Sequence, residues 1–123
     1  MRIEDRAGHR LLHLDEDGPA IGSGPSVADL IGDAWAHEAD LIVLPVARLD
    51  PAFFDLRSGW AGELTQKLTN YRLRLAIVGD VDGHAAASGA FRDYRGEANR
   101  GGHVWFVPDL AALDARLGEG GGA

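Results

Sequence analysis

The sequence predicts a single α/β domain: a mostly parallel sheet of four to five strands with helices on both faces. Residues 41–44 and 75–78 are short runs that are apolar at consecutive positions, which is typical of central strands covered on both sides. Longer segments around them carry apolar residues at every third or fourth position, as amphipathic helices do. Strands that alternate with helices favour a parallel sheet with right-handed crossovers.

Length and composition fit one domain over residues 1–117, followed by a glycine-rich tail over 118–123 that is expected to be disordered. The net charge of −7 disfavours nucleic-acid binding, which needs a basic surface. There is no cysteine, which excludes disulfides and thiolate metal ligands. No secretory signal pattern is visible, and the longest apolar run is far shorter than the ~20 residues that span a bilayer. A cytoplasmic protein without membrane contact is therefore predicted.

The first half of the chain reads as strand, turn, helix and strand. Residues 9–14 form the first predicted strand, and residues 15–19 form an acidic turn. Residues 20–22 are expected to make a very short second strand beside the first. A helix then begins at Ser23 to Pro25, with a capping hydroxyl and a proline in its first turn. Its buried stripe consists of Val27, Leu30, Ile31, Ala34 and Trp35.

The second half begins with a short helical turn at Asp50-Pro51, which places Phe53 and Phe54 in the core. Ser58 or Gly59 opens the next helix, whose buried face carries Trp60, Leu64 and Leu68. The second central strand leads into a loop over residues 79–83, and a further helix follows with buried positions at Ala87, Ala90, Phe91 and Tyr94. Residues 103–107 form the last strand, and Pro108-Asp109 cap a closing helix with Leu110, Leu113 and Leu117.

Several short motifs carry a resemblance to a known family. They are FFDL at 53–56, Ser58-Gly59, Ala61-Gly62-Glu63, Gln66-Lys67, Asn70-Tyr71, LAIVGD at 75–80, and Glu97, Asn99, Arg100 and Gly101 before the last strand. In this order the chain resembles the small bacterial proteins grouped as domain of unknown function family 4180. The resemblance covers nearly the whole chain and implies no established activity.

A looser resemblance is to STAS-like domains, the fold of sulfate-transporter and anti-sigma-factor-antagonist domains. The order of elements is similar, and residues 55–62 resemble the segment that such proteins phosphorylate on serine. This implies a STAS-like fold and a regulatory switch at Ser58. In STAS domains the acidic residue and the serine are adjacent, whereas here Leu56 and Arg57 separate Asp55 from Ser58.

The candidate binding residues near Ser58 have two interpretations each. Ser58 can act as a helix cap, or the free N–H groups of a helix start bared by Gly59 and Gly62 can hold an anion. Along the same helix Glu63, Gln66, Lys67 and Asn70 form a polar stripe. That stripe is either a solvated face with one helical ion pair or a contact surface for a partner.

Other candidates lie further along the chain. Asp80 follows a buried strand, where α/β proteins gather their sites, or it belongs to a turn that leads into the next helix. Glu97, Asn99 and Arg100 precede a glycine pair in a predicted loop. They either satisfy backbone groups there, or Arg100 faces a carboxylate of a ligand or a partner.

Two classes of function fit these residues. The preferred one is a non-enzymatic binding or regulatory module that acts through a protein partner or a second copy, using the helix start at Ser58 and the polar stripe. The alternative is a small-molecule-binding protein or enzyme with a pocket around Asp55, Ser58 and Asp80. A homodimer built on exposed surface at Trp60 or Trp105 is a further possibility. No catalytic set or cofactor is indicated. No metal site is indicated either, since His9 and His13 lie ~13 Å apart along one strand, too far to share one ion.

Overall fold

A five-stranded sheet forms the centre of the molecule. The computed structural model describes residues 1–21 and 25–121 of the chain. The strands are β1 (Arg2–Arg6), β2 (His9–His13), β3 (Leu41–Pro45), β4 (Arg74–Val78) and β5 (Val104–Val107). The helices are α1 (Pro25–Ala36), α2 (Trp60–Asn70), α3 (Asp82–Ala87), α4 (Gly89–Arg100) and α5 (Leu110–Gly121). Three single turns of 3-10 helix, Val46–Arg48, Pro51–Phe54 and Leu56–Ser58, connect β3 to α2.

The strands lie side by side in the order of the sequence, β1-β2-β3-β4-β5. β1 pairs with β2 antiparallel, and the other three pairings are parallel. Ala7 and Gly8 join β1 to β2, and both have positive φ, as a two-residue hairpin turn requires. The predicted fold class, an α/β protein with a mostly parallel sheet and helices on both faces, is confirmed.

The two faces of the sheet carry separate cores. The larger core joins α1, α2, α3 and α4 to one face, through side chains such as Ile42, Leu44 and Ile77. The smaller core joins Leu113 and Leu117 of α5 to the other face, through Leu41, Val43 and Ala76. Because helices cover β3 and β4 on both sides, these two strands are apolar at consecutive positions.

An aromatic cluster fills the larger core next to the 3-10 turns. Phe53 is fully buried, and its ring lies 5.2 to 6.1 Å from the rings of Phe54, Trp60, Tyr94 and Phe106. Asp50 starts the turn that delivers Phe53, because its carboxylate accepts a hydrogen bond from the Ala52 N–H at 2.9 Å. The predicted turn at Asp50-Pro51 and the core positions of Phe53 and Phe54 are confirmed.

The sequence prediction was wrong at the beginning of the chain. It missed β1, whose residues are charged and mostly exposed because this strand is the outer, antiparallel edge of the sheet. The short strand expected beside the first at 20–22 is not seen in its two described residues, 20 and 21: Ile21 makes a single parallel bridge to Leu49 instead. Gly22 and the expected capping residue Ser23 lie outside the described residues.

Further corrections concern the helices. Trp35 is 62% exposed, although the other four positions of its predicted stripe are buried. The loop expected at 79–83 already turns into α3 at Asp82, and Ser88 then divides the expected single helix into α3 and α4. Ala87 and Ala90 are exposed because they lie on either side of this break. Leu110 is exposed as well, while Leu113 and Leu117 of the same predicted stripe are buried.

The last helix reaches Gly121, and residues 122 and 123 lie outside the described part of the chain. The disorder predicted for residues 118–123 stays a prediction. Within the described residues, no helix is long and apolar enough to cross a membrane.

Stability at high pH is expected to depend on Tyr94. Burial raises the pKa of its phenol above the ordinary value, so the folded protein holds this proton more tightly than the unfolded chain does. The stabilisation is complete below the unfolded pKa of about 10 and is lost as the pH rises through the folded pKa. Urea unfolding from pH 8 to 11 should show a steeper loss of stability above pH 10 for the wild type than for Tyr94→Phe. Parallel pH profiles of the two proteins would contradict this assignment.

Candidate functional site

The Ser58 hydroxyl is used to connect two backbone segments. It donates a hydrogen bond to the Ala52 carbonyl at 2.9 Å and accepts one from the Trp60 N–H at 3.2 Å. Asp55 caps the preceding turn in a similar way, through the Arg57 N–H at 3.1 Å. Ser58 is therefore a local clamp between the Pro51–Phe54 turn and the first residue of α2, and its hydroxyl has a structural role although Ser58 is not the cap residue of the helix.

Gly59, rather than Ser58, occupies the cap position of α2. Its φ of 78° lies in the left-handed region, which glycine adopts without the strain that a side chain would bring. An added Cβ at Gly59 or Gly62 would meet no atom within 4 Å, so the helix start is open on its outer side. Anion binding at these N–H groups stays a prediction.

The predicted polar stripe lies on the outer side of α2. The carboxylate of Glu63 is 4.0 Å from the Lys67 ammonium, and the Gln66 side chain donates to the Asn70 amide oxygen at 2.9 Å. Both pairs are local to the helix and solvent-accessible, with the Lys67 and Glu63 side chains 43% and 52% exposed, so each pair adds only about 0.2–0.5 kcal/mol. The fold does not depend on these four side chains, and they can exchange their partners for those of another molecule.

An exposed aromatic pair adjoins this stripe, and the sequence analysis missed it. Trp35, in the last turn of α1, and Tyr71, directly after α2, are 62% and 49% exposed. Their rings meet edge to face with centroids 6.1 Å apart. Tyr71 follows Lys67 by four residues, which places the two on the same side of the helix end. We call the surface formed by Trp35, Tyr71 and the stripe (Glu63, Gln66, Lys67, Asn70) the α1–α2 face.

Trp60 and Trp105 are both buried, as predicted for Trp60 on the inner face of α2. Trp60 is 5% exposed and packs against Phe53, and Trp105 is 7% exposed. The guanidinium groups of Arg74 and Arg116 lie 4.3 and 4.4 Å from the Trp105 ring. Neither tryptophan ring itself therefore offers the exposed apolar surface on which that dimer was expected to form, and dimerisation stays a prediction.

Asp55, Ser58 and Asp80 do not converge on one cavity. Asp55 lines a shallow cleft with Phe54 and Ser88. Asp80 lines a different cleft at the carboxyl ends of β4 and β5, and Ser58 lines neither of these two. Neither of these two clefts is therefore the shared pocket of Asp55, Ser58 and Asp80 that the alternative function requires.

The cleft at Asp80, which we call the β4–β5 crevice, has a volume of about 510 Å³. Residues 79–82 after β4, residues 106–108 at the end of β5, and Arg95, Gly96 and Asn99 of α4 line it. One carboxylate oxygen of Asp80 accepts a hydrogen bond from the Asp82 N–H at 2.9 Å, so Asp80 also opens α3, as expected for a turn residue. Arg95 donates to the carboxylate of Asp82 at 2.8 Å.

The residues Glu97, Asn99 and Arg100 lie in the last turns of α4, not in the predicted loop. The Asn99 side-chain oxygen accepts a hydrogen bond from the Phe106 N–H at 2.6 Å, so the predicted bond to a backbone group is present for Asn99. That N–H belongs to the edge strand β5 and would otherwise lack a partner in the sheet. Glu97 and Arg100 form an exposed pair at 3.8 Å, and Arg100 is available to a partner carboxylate.

His9, His13 and His84 each contact a neighbouring side chain. His9 and His13 each lie 2.9 Å from a carboxylate, that of Asp40 and that of Glu4 respectively. His84, for which the sequence indicated no partner, belongs to α3 and stacks on the Phe54 ring with centroids 3.7 Å apart. Among residues 1–21 and 25–121, no group of three or more side chains could hold a metal ion.

Replacing Ser58 by alanine is expected to lower the free energy of unfolding by about 1 kcal/mol, because two backbone groups lose their side-chain partner. Ser58→Thr keeps the hydroxyl and should retain most of that stability. Urea denaturation of the two variants beside the wild type measures the difference. If Ser58→Ala were as stable as the wild type, the hydroxyl would not be a structural clamp.

Comparisons with known proteins add one relationship. A family model described as domain of unknown function DUF4180 matches residues 6–117. Searches of curated proteins and of solved structures return no match, so the resemblance to STAS-like domains stays a prediction. The matched range covers nearly the whole chain, including β2 to β5, the α1–α2 face and the β4–β5 crevice. The chain therefore belongs to the DUF4180 family.

Proposed function

We propose that this protein is a non-enzymatic binding module of the bacterial cytoplasm that acts through a protein partner, which docks on the α1–α2 face. The observation that carries the proposal is the exposed, edge-to-face pair of Trp35 and Tyr71 beside the polar stripe. Aromatic side chains at the centre of protein interfaces supply much of the binding energy, and a polar rim surrounds them. The α1–α2 face has both components.

The energetics of the exposed pair favour this role. A tryptophan or tyrosine buries about 150–250 Å² when it is covered, and that gain is only partly realised for Trp35 and Tyr71 in the free chain. The rings already hold each other in an edge-to-face arrangement, so little further ordering is needed on binding. A partner that covers both rings would thus gain apolar burial at a low entropic cost.

The separation of Asp55, Ser58 and Asp80 supports a binding role over catalysis by these residues. Nucleophilic or acid–base catalysis requires the participating side chains within hydrogen-bond reach of one substrate. Asp55 and Asp80 line different clefts, and the Ser58 hydroxyl already serves the Ala52 carbonyl and the Trp60 N–H. Small-molecule binding remains the second candidate function, and the β4–β5 crevice is the observation that favours it.

Replacing Trp35 by alanine should weaken partner binding at least tenfold, since hot-spot aromatics contribute ~2 kcal/mol or more. Stability should change by less than about 1.5 kcal/mol, because the lost contact is a half-exposed aromatic pair. The measurement is affinity purification of tagged protein from extracts of its own host, followed by quantitative mass spectrometry and titration of the recovered partner. If the partner is a second copy, sedimentation velocity reports the same loss.

Leu110→Ala provides the control for this prediction. Leu110 is also an exposed apolar residue, at 46%, but it belongs to α5 on the opposite face of the sheet. Leu110→Ala should bind the partner like the wild type. A partner that binds Trp35→Ala as tightly as the wild type would exclude the α1–α2 face as its docking surface.

Phosphorylation of Ser58 is part of this proposal, as the switch that regulates docking on α2. A phosphate would add about two negative charges at the start of the helix that carries the stripe. Ser58→Asp mimics the charge. Its loss of the donor to the Ala52 carbonyl is offset by a favourable carboxylate at the helix start, so stability should stay within about 1 kcal/mol of the wild type.

Ser58→Asp is expected to change the affinity for the partner at least fivefold, the effect of about 1 kcal/mol of charge interaction at the docking surface. Ser58→Asn is the neutral variant of the same shape and should bind like the wild type. Isothermal titration with the recovered partner compares the two. Identical affinities of Ser58→Asp and Ser58→Asn would remove the switch from the proposal and leave Ser58 as a clamp.

A further inference from the structure

We propose that the β4–β5 crevice is a binding site for a small organic cation, an ammonium or guanidinium compound. This site lies outside the α1–α2 face, so its existence does not depend on the docking proposal. The inference rests on where the crevice lies in the topology, on the charges that face it, and on the fixed orientation of Asn99.

The position of the crevice is set by the paths of two neighbouring strands. After β4 the chain continues into α3 and α4, which belong to the larger core, and after β5 it continues into α5, which belongs to the smaller core. The two connections leave the sheet toward opposite faces and open a gap between their starting points. In α/β proteins, ligands bind in this kind of gap at the carboxyl ends of the strands. Its volume of about 510 Å³ is in the range of small-molecule sites.

The charges in the crevice favour a cation. The charged side chains of the lining are Asp80, Asp82 and Arg95, so the lining carries a net negative charge, as does the whole chain at −7. Arg95 is held by Asp82 at 2.8 Å. Asp80 uses one carboxylate oxygen for the Asp82 N–H, and the other has no hydrogen-bond partner among residues 1–21 and 25–121. That oxygen is a charged acceptor at the mouth of the site, and the negative field draws cations toward it.

Asn99 adds a donor of fixed orientation. The side-chain oxygen of Asn99 accepts a hydrogen bond from the Phe106 N–H, which fixes the orientation of the amide group. The side-chain nitrogen of Asn99 can then donate to a ligand in the crevice. Buried side chains of Val81, Phe106 and Val107 provide an apolar wall. The site therefore offers an anionic acceptor, a neutral donor and an apolar surface, which together fit a cationic group on a short organic stem that also carries an acceptor.

A bare divalent cation fits the same lining less well. Calcium and magnesium take six or more oxygen ligands, several of them carboxylates or waters. Here one of the two carboxylates in the lining is already paired with a guanidinium group, which leaves the carboxylate of Asp80 as the remaining anionic ligand for an ion. An inorganic anion is disfavoured by the two carboxylates. An ammonium or guanidinium group, in contrast, binds through directional N–H donors. The free oxygen of Asp80 can accept one such hydrogen bond without any further ligand.

The test is a titration of ¹⁵N-labelled full-length protein with methylguanidinium chloride, followed by amide chemical shifts at constant ionic strength. Saturable shifts are expected at residues 79–82, 95–99 and 106–108, with a Kd on the order of 10 mM for so small a probe. Acetate, phosphate and magnesium chloride serve as comparison probes and should not produce saturable shifts there.

Asp80→Asn isolates the charge. The asparagine oxygen can still accept the Asp82 N–H, so the start of α3 is preserved while the negative charge is lost. The Kd for methylguanidinium should rise about tenfold or more, the usual effect of one charge-assisted hydrogen bond. Asp93→Asn removes the same charge from an exposed position of α4 outside the crevice and should change the Kd less than twofold.

Three results would overturn the proposal. Absence of shifts up to about 50 mM methylguanidinium, about five times the expected Kd, would show that the crevice does not bind organic cations. Saturable shifts at these amides with magnesium, acetate or phosphate in place of methylguanidinium would exclude the organic cation as its ligand. Equal weakening by Asp80→Asn and Asp93→Asn would reduce the effect to the overall charge of the chain.

Discussion

The order of the strands is the constraint on which the rest of the structure depends. β2, β3, β4 and β5 pair as parallel neighbours in the order of the sequence. Parallel crossovers are right-handed in nearly all proteins, so successive crossovers in one direction place their helices on the same face. α1, α2 and the α3–α4 pair accordingly share the larger core, and α5 covers the opposite face. The crevice between the ends of β4 and β5 follows from this arrangement.

The two proposed binding surfaces are joined through α4. Arg95 and Asn99 of α4 line the crevice, and the neighbouring Tyr94 packs against Phe53 in the aromatic cluster. The Thr65 hydroxyl donates to the Ala61 carbonyl, so the Tyr94 O–H donates to Thr65 Oγ1 at 2.7 Å. Thr65 belongs to α2, whose outer side carries the polar stripe. A group bound in the crevice would therefore contact α4, and α4 also packs against the inner side of α2.

The sequence predicts the parts of this fold that depend on local pattern. The apolar runs of β3 and β4 and the turn that buries Phe53 are of this kind, and all are present. β1 was missed because a charged, exposed edge strand has neither an apolar run nor an alternating pattern. The break at Ser88 was missed because the apolar residues on both sides also fit one continuous helix.

The candidate sites depend more on tertiary contacts than on pattern. The stripe on α2 follows from helical spacing alone and was predicted. Trp35 fits the spacing of a buried stripe, yet it lies in the last turn of α1, where its ring meets Tyr71 instead of the sheet. The contacts of the crevice, Arg95 with Asp82 and Asn99 with Phe106, require the break at Ser88 and the position of β5. No local signal reports them.

Methyl–methyl nuclear Overhauser effects between α5 and β3 test the central claim most directly. Residues of β3 alternate between the faces, so Val43 belongs to the core of α5 while Ile42 and Leu44 belong to the larger core. Cross-peaks are expected from the Leu113 and Leu117 methyl groups to Val43 and Ala76, and none to Ile42 or Leu44. Cross-peaks from α5 to Ile42 or Leu44 would place all the helices on one face. The connections after β4 and β5 would then not diverge, and the crevice between them would lose its basis.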